Sequence, residues 1–306
     1  MSILVVGSVA LDHVETPFGS VKDALGGSAI YFSAAASYFA AVRVVGVVGE
    51  DFPHDQLGFL KKRTVDFQGL ETQPGKTFRW GGRYDFDLNS RTTLFTHLNV
   101  FEHFDPVIPE SYRDSEYIFL GNIAPELQLD ILKQIRSPKL VALDTMNYWI
   151  EGSLPDLRKT LEKVQVLLLN DSEARQLAQE ANLVKAARII CKMGPEVLVI
   201  KKGEHGALLF MGNDVFWAPA YLLETIYDPT GAGDTFAGGF IGYLAKLGIV
   251  SPDNYKRALV FGSAMASFCV ESFSVDRLQD LKPEEIRARF TAFWHMTNFD
   301  HLNSGF

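Results

Sequence analysis

The chain has 306 residues, of which 47% are hydrophobic and 22% charged, a composition typical of folded globular proteins. Its formal net charge of −8 argues against a nucleic-acid-binding protein, because a phosphate backbone is bound by a basic surface. The two cysteines, Cys191 and Cys269, lie far apart without metal-binding neighbours, so neither a disulfide framework nor a zinc site is expected.

The first residues, MSILVVGSVALDHVE, begin directly with an apolar stretch and lack the basic region of a signal peptide. No apolar run approaches the ~18 residues that a membrane-spanning helix requires. We therefore expect a cytoplasmic protein without a membrane or nucleic-acid partner, folded over residues 1–306 as one domain.

Short apolar runs rich in β-branched residues recur along the chain and predict strands. Runs that are apolar throughout, rather than alternating, are typical of a sheet buried on both faces. The predicted strands cover residues 3–9, 42–49, 117–122, 139–145, 164–170 and 196–203.

Segments with helical spacing of apolar residues separate most of these strands. This alternation predicts right-handed βαβ units around a mostly parallel sheet with flanking helices. The predicted helices cover residues 27–41, 55–65, 125–136, 172–181, 183–193, 232–247 and 253–270.

Residues 11–25 and 76–99 do not fit the alternation, because they mix polar and aromatic residues with glycine. Such a pattern is typical of short, half-exposed strands. If the two segments pair, they form a small β-sheet that projects from the main one as a lid. Apolar lid residues such as Phe86 and Phe95 would also allow two chains to pair through their lids as a homodimer.

The segment DPTGAGDTFAGGF, residues 228–240, carries the clearest chemical pattern in the sequence. Its glycines allow close approach of the backbone to a ligand, and the small and apolar residues that follow predict a helix. Unpaired N–H groups at a helix start, together with the helix dipole, favour an anion. The segment therefore predicts a site for negative charge that develops on a phosphoryl group or an oxyanion.

Asp234 lies in the first turn of this predicted helix. A carboxylate beside a phosphate site is placed to take the proton of an attacking hydroxyl. The alternative is an ordinary helix cap, for which aspartate is also favoured. The sequence has no Walker A pattern and no G-x-G-x-x-G after a strand, so it does not resemble P-loop or dinucleotide-binding proteins.

The same segment resembles the D-T-x-G-A-G-D-x-F signature of the ribokinase-like, or PfkB-type, carbohydrate kinase family. Further stretches resemble motifs of that family in the family's order: VVGSVALDHV with GGSAIYFSAAA, VVGVVGEDFP, LLLNDSEARQL and VIKKGEHGALLF. The resemblance extends over almost the entire chain. It implies a three-layer α/β/α fold with a β-sheet lid and an ATP-dependent kinase that uses Mg²⁺.

By this resemblance, Asp234 is the catalytic base, and the backbone of Thr230, Gly231, Ala232 and Gly233 forms the anion hole. The aspartate would deprotonate the acceptor hydroxyl while the anion hole stabilises the transferred group.

The resemblance also assigns acceptor-binding residues. Asp12 and the pair Gly26 and Gly27 match positions that hold substrate hydroxyls, although the glycines would equally suit a helix-start turn. Tyr31 stands where many sugar kinases carry a substrate-contacting asparagine. Asp144 matches a strand-end aspartate of some sugar-acid and hexose kinases.

Asn170 and Glu173 match the motif that organises Mg²⁺ and the phosphates, usually through water. One glutamate suffices for that, because Mg²⁺ takes few protein carboxylates, but the same residues would also make an ordinary capped helix start.

Three further residues match the nucleotide site of the family. Lys201, which replaces a commoner threonine, and Gly203 match positions that contact the nucleotide. Ala264 matches the wall near the adenine, or it serves helix packing. The surroundings of Asp228 could hold a monovalent cation such as K⁺ in this family.

The lid segment carries charged and aromatic residues whose roles stay open. An arginine that reaches the pocket would suit a carboxylate or phosphate, whereas charges on an exposed edge would block sheet-to-sheet pairing. These residues are Arg79, Trp80, Arg83, Asp85 and Arg91.

We therefore expect a kinase that transfers the γ-phosphoryl group of ATP to a hydroxyl of a small carbohydrate. The alternatives are a nucleoside kinase of the adenosine type from the same family, or a non-catalytic sugar or nucleotide sensor on this scaffold.

Overall fold

The computed structural model describes residues 1–298, which form two β-sheets and flanking helices. The strands are β1 (Ser2–Val6), β2 (Ala10–Thr16), β3 (Gly19–Gly26), β4 (Ala41–Gly49), β5 (Val65–Gln73), β6 (Phe78–Tyr84), β7 (Arg91–His97), β8 (Tyr117–Leu120), β9 (Leu140–Asp144), β10 (Val166–Asn170), β11 (Val197–Lys201), β12 (Ala207–Met211) and β13 (Asp214–Ala218).

The larger sheet has nine strands in the order β13-β12-β11-β10-β9-β8-β1-β4-β5. All neighbours from β11 to β5 are parallel, and the hairpin of β12 and β13 adds an antiparallel edge. All six predicted strands are found, and five of them, all but β4, are shorter than predicted. β5 escaped prediction because its sequence, VDFQGLETQ, is half polar, as suits an edge strand.

Helices cover both faces of this sheet. They are α1 (Ser28–Ala36), α2 (Gly58–Lys62), α3 (Pro125–Gln134), α4 (Asn147–Gly152), α5 (Leu154–Leu161), α6 (Asp171–Ala178), α7 (Leu183–Cys191), α8 (Ala232–Leu247), α9 (Pro252–Cys269), α10 (Asp276–Gln279) and α11 (Pro283–Thr297). The helices α1, α2, α8, α9, α10 and α11 pack on one face of the sheet and share one hydrophobic core with it. The helices α3, α4, α5, α6 and α7 pack on the opposite face and share a second core with it. The predicted α/β/α layering is therefore confirmed.

The predicted helix at 55–65 is mostly wrong. The chain there makes a 3₁₀ turn, His54–Leu57, and the five-residue α2. Thr64 then adopts a left-handed conformation with φ 62°, which ends helical geometry before β5 begins. The helices α4, α5, α10 and α11 were not predicted.

The second sheet is the predicted lid, with strand order β3-β2-β6-β7. The two segments pair as expected, because β2 runs parallel to β6, with Asp12 opposite Trp80. Phe86 at the tip of the β6–β7 hairpin is 90% exposed, whereas Phe95 lies against the ring of His13. Pairing of two chains through the lid stays a prediction. The prediction of one domain over residues 1–306 also stays a prediction, and its last residues, 299–306, lie outside the described part of the chain.

Within residues 1–298, no helix combines the length and apolar character needed to cross a membrane.

Candidate active site

The predicted site residues gather where parallel strands of the larger sheet end. Asp144 is the last residue of β9, Asn170 of β10 and Lys201 of β11, and these three strands are neighbours. Their side chains therefore meet at one edge, the carboxyl edge at which open α/β sheets bind ligands. The start of α8 faces the same edge, because Gly233 lies against the ammonium group of Lys201.

The start of α8 has the features of an anion site. Gly231 is the N-cap residue, with φ 74°, and no side chain caps the helix. Within the described residues, the N–H groups of Gly231 and Gly233 have no hydrogen-bond acceptor. Free N–H groups at the positive end of a 16-residue helix are suited to hold a phosphoryl group.

Gly231 is required both by backbone conformation and by space. Its positive φ is disfavoured for residues with a side chain, and an added Cβ would lie 2.3 Å from the ring of Tyr31. The Tyr31 ring therefore packs directly against the anion site. Tyr31 is only 2% exposed, so it supports the anion site from behind, and its predicted contact with a substrate stays a prediction.

Asp234 occupies the first turn of α8 but caps nothing with its side chain. Burial and the negative charge of Asp144 raise its pKa to about 7, while the positive charge of Lys201 counteracts the rise. A carboxylate with a pKa near neutrality is suited to exchange a proton at physiological pH. The N-cap position is held by Gly231 rather than Asp234, and the role of Asp234 as a base stays a prediction.

Lys201 and Asp144 form an ion pair that spans the end of β10. Nζ of Lys201 donates to Oδ2 of Asp144 at 2.7 Å, and the two side chains are 16% and 10% exposed. Burial alone would lower the pKa of Lys201, but Asp144 and Glu173 raise it overall, so the ammonium group stays charged. The ion pair thus brings Asp144 and the start of α8 to the same lysine, and the predicted contact of Asp144 with an acceptor stays a prediction.

Asn170 and Glu173 form a capping box at the start of α6. Oδ1 of Asn170 accepts from the N–H of Glu173 at 2.8 Å, and Oε2 of Glu173 accepts from the N–H of Asn170 at 2.7 Å. Burial and the charge of Asp144 raise the pKa of Glu173 to about 7. The two predicted roles of these residues, a capped helix start and the organisation of Mg²⁺, are compatible. The capping box uses Oε2 of Glu173 and leaves its Oε1 without a donor among the described residues.

Asp12 lies in a second part of the site, below the lid. Burial and the charge of Asp228 raise its pKa to about 8, while the Gly27 N–H, which bonds to it, lowers it. A Cβ at Gly26 would lie 2.0 Å from Oδ2 of Asp12, so this glycine makes room for the carboxylate. The charge of Asp234 also raises the pKa of Asp12, which places the second part of the site near Asp234.

Gly203 and Ala264 are not brought into contact with these groups. Gly203, in a 3₁₀ turn after β11, has φ 53° and lies near Asn89 of the lid hairpin. Ala264 is fully buried in α9, as the helix-packing alternative requires. Their contacts with a nucleotide stay predictions.

The lid touches the anion site through a residue that the sequence analysis missed. Oγ1 of Thr230 donates to the hydroxyl of Tyr84 at 3.2 Å, and Tyr84 is 8% exposed. Alternation along β6 could have identified it, because Trp80 and Tyr84, four residues apart, lie on the face that carries Asp12. At the hairpin tip, Nδ2 of Asn89 donates to Glu204, 3.1 Å away.

The three lid arginines have different surroundings. Arg79 pairs with Asp23 and Asp51, and Arg83 pairs with Glu15. Arg91 lies over the ring of Trp80, 5.0 Å from its centre, and forms no ion pair within residues 1–298.

Arg91 also faces the site. Burial raises the pKa of both Asp12 and Glu173, and the charge of Arg91 partly counteracts the rise at each. Of the lid arginines, Arg91 is therefore the one that lies between the two parts of the site. The structure thus distinguishes the surroundings of three arginines that the sequence left equivalent.

Comparison with known proteins places this geometry in a family. The family model described as pfkB family carbohydrate kinase matches residues 2–280. A cytidine kinase of Thermococcus kodakarensis is 31% identical over 247 residues, which cover 79% of this chain and 87% of the relative. An inositol 3-kinase of Arabidopsis thaliana is 25% identical over 315 residues, 94% of this chain and 80% of that protein.

Solved structures agree in fold. The nucleoside kinase of Methanocaldococcus jannaschii superposes with a TM-score of 0.76 at 20% identity, covering 95% of this chain and 98% of that one. A ribokinase of Thermotoga maritima gives 0.74 at 22% identity, with 95% and 99% covered. The chain belongs to the pfkB family of carbohydrate kinases and is a phosphotransferase with an alcohol group as acceptor.

Proposed function

We propose that the protein transfers the γ-phosphoryl group of ATP to a hydroxyl of a small carbohydrate, with Asp234 as the base. The observation that carries this proposal is the placement of Asp234 between two sets of groups of opposite character. On one side lie the free N–H groups of Gly231 and Gly233 with the ammonium group of Lys201. On the other lies the carboxyl group of Asp12.

The reaction then follows from the positions of these groups. Asp12 and the Gly27 backbone hold acceptor hydroxyls so that one of them points at Asp234. Asp234 takes the proton of that hydroxyl as its oxygen attacks the γ-phosphorus, and the bond from phosphorus to the ADP oxygen breaks. The N–H groups at the start of α8 stabilise the negative charge of the transferred group.

The donor set also fits a Mg²⁺ ion held through water. Glu173 offers one carboxylate oxygen that the capping box leaves free, and a single carboxylate with several waters is typical of Mg²⁺ sites. When bound, the ion supplies positive charge to the phosphate oxygens. For a monovalent cation the support is weaker, because both oxygens of Asp228 accept backbone N–H groups, from Thr230 and Ser274.

A nucleoside is the second candidate acceptor. Trp80 lies opposite Asp12 in the lid and on the same face, so an aromatic ring stands beside the residue proposed to hold the sugar. A ring at that position can stack on a base attached to a ribose. The similarity to a cytidine kinase points in the same direction.

The test of the proposed function is ADP formation from ATP and Mg²⁺ with a panel of free sugars, sugar acids, sugar phosphates and nucleosides. We expect turnover with one class, and none with the Asp234→Asn variant. Turnover on cytidine or adenosine without turnover on free pentoses and hexoses would select the nucleoside. Nucleotide binding without turnover on any acceptor would contradict the proposal and favour the sensor.

Replacement of Arg91 by methionine is expected to lower kcat about 100-fold, because a cation near developing phosphoryl charge stabilises the transition state. The matched control is Arg83→Met, which removes a lid arginine that pairs with Glu15 instead and should leave kcat within about twofold, as for an exposed ion pair. Steady-state kinetics of both variants check the prediction. Equal kcat values in the two variants would show that Arg91 is only an edge charge of the lid.

A further inference from the structure

The buried pair of Lys201 and Asp144 has a feature that helix capping and core packing do not explain. An ammonium group has three N–H donors, and Nζ of Lys201 has one acceptor among the described residues, Oδ2 of Asp144. Two donors of a side chain that is only 16% exposed are therefore left without a protein partner. These two donors are therefore available to a ligand or to water, because polar groups at such a position are nearly always hydrogen-bonded.

The position of Nζ identifies the chemistry of that ligand. Nζ lies 3.0 Å from the place that a Cβ of Gly233 would occupy, at the start of α8 where backbone N–H groups are also free. Ammonium and backbone N–H groups that converge on one point are complementary to an anion with several oxygens. Gly233 is also the residue before Asp234, which places this anion next to the proposed base.

The charges around the pair explain why Asp144 is present. The negative charge of Asp144 raises the pKa of both Asp234 and Glu173, and that of Glu173 also raises the pKa of Asp234. A lysine without a fixed partner would be free to pair with any of these carboxylates. Asp144 ends β9 and Lys201 ends β11, with β10 between them. Because the carboxylate of Asp144 accepts from Nζ at 2.7 Å, the ammonium group is fixed above the end of β10 and does not pair with the proposed base.

We propose that Lys201 is a catalytic residue that donates to the transferred phosphoryl group alongside the start of α8, and that Asp144 is a positioning residue that acts through Lys201. This inference rests on the proposed function and deepens it. It replaces the expectation that Asp144 binds the acceptor and gives a reason for lysine where threonine is commoner.

The test is a double-mutant cycle with Lys201→Met, Asp144→Asn and the variant that combines them, measured with the acceptor that the panel identifies. We expect Lys201→Met to lower kcat about 100- to 1,000-fold, as for loss of one preorganised donor, with little change in the KM of the acceptor. Asp144→Asn should lower kcat about tenfold, since its amide oxygen still accepts one N–H but carries no charge.

The combined variant should be no slower than Lys201→Met alone, because a residue that acts only through Lys201 has no further effect once Lys201 is gone. Additive losses of kcat, or a raised acceptor KM in Asp144→Asn, would overturn the proposal and return Asp144 to the acceptor site. Unchanged kcat in Lys201→Met would overturn it as well.

A matched control separates loss of charge from loss of catalysis. Lys139 precedes β9 at the opposite edge of the sheet and pairs with Glu116 at 2.6 Å, with side chains 49% and 33% exposed, so Lys139→Met removes the same charge from a more exposed ion pair and should leave kcat unchanged. If Lys201→Met fails to fold, kcat and KM are measured instead for Lys201→Arg and Asp144→Asn. These two substitutions preserve the volume of the pair and test the same proposal. Absence of turnover in the unaltered protein would refute the proposed function itself, whereas an active Lys201→Met would refute only this inference.

Discussion

Asp234→Asn is expected to lower kcat about 1,000-fold while leaving the fold intact. The amide keeps the size of the carboxyl group but cannot take the proton of the acceptor hydroxyl, and general base catalysis contributes about 100- to 10,000-fold. Binding of ATP and acceptor should change little, because Asp12 and the start of α8 are untouched. Steady-state kinetics with equilibrium binding measurements check both parts.

The same substitution should raise the melting temperature. Burial raises the pKa of Asp234 from 3.8 to about 7, so between these values the folded protein binds more protons than the unfolded chain. Stability then falls as the pH rises through this range, and the neutral amide avoids that loss. We expect the gain in melting temperature to be larger at pH 8 than at pH 5, and an unchanged difference would contradict the raised pKa.

The pH dependence of catalysis has the opposite sign to that of stability. The base must be ionised, so kcat/KM should fall about tenfold per pH unit below about pH 7 and level off above it. An exposed aspartate would keep its activity down to about pH 4. An acidic limb centred near pH 4 would therefore show that Asp234 is not the base, or that it is not buried when it acts.

Gly231→Ala is expected to lower both the stability of the protein and kcat. The left-handed conformation at φ 74° costs about 1–2 kcal/mol for alanine, and overpacking against the Tyr31 ring at 2.3 Å adds about 1–3 kcal/mol. Stability should fall by the sum of these terms, and kcat by about 100-fold because the N–H groups of the anion site move. Chemical denaturation and kinetics measure the two effects.

The matched control is Gly212→Ala. Gly212 also has a positive φ, 58°, but a Cβ there would meet nothing within 4 Å, and it lies in the turn between β12 and β13. Its substitution should cost about 1–2 kcal/mol and leave kcat unchanged. Equal effects of the two substitutions would mean that Gly231 matters only for backbone conformation and that the packing of Tyr31 is irrelevant to the site.

The layers of the fold were predictable because the central strands of the larger sheet and most helices are buried against apolar neighbours. Continuous runs such as VLLLN in β10 can be satisfied only between two layers of helices. β5 and α2 were not predictable in the same way. At the edge of the sheet one side of each element faces water, so tertiary contacts, rather than a repeating pattern, decide their structure.

The chemical groups of the site were predictable where backbone conformation required a particular residue. Gly231 could be identified because a helix start that binds an anion needs small residues, and Asp234 because a carboxylate beside such a site can act as a base. The partner of Lys201 could not, since Asp144 is 57 residues away and only the order of β9, β10 and β11 brings the two together. The same holds for Tyr84 and Thr230, which are 146 residues apart.

Transfer of label from ATP to the acceptor is the most direct test of a kinase that uses Asp234. ATP labelled with ¹⁸O in its γ-phosphoryl group is incubated with the protein, Mg²⁺ and the acceptor that the panel identifies, and the products are analysed by mass spectrometry. The account predicts labelled acceptor phosphate, little labelled inorganic phosphate, and neither product with Asp234→Asn. Label found only in inorganic phosphate, or labelled acceptor formed by the variant at an undiminished rate, would contradict it.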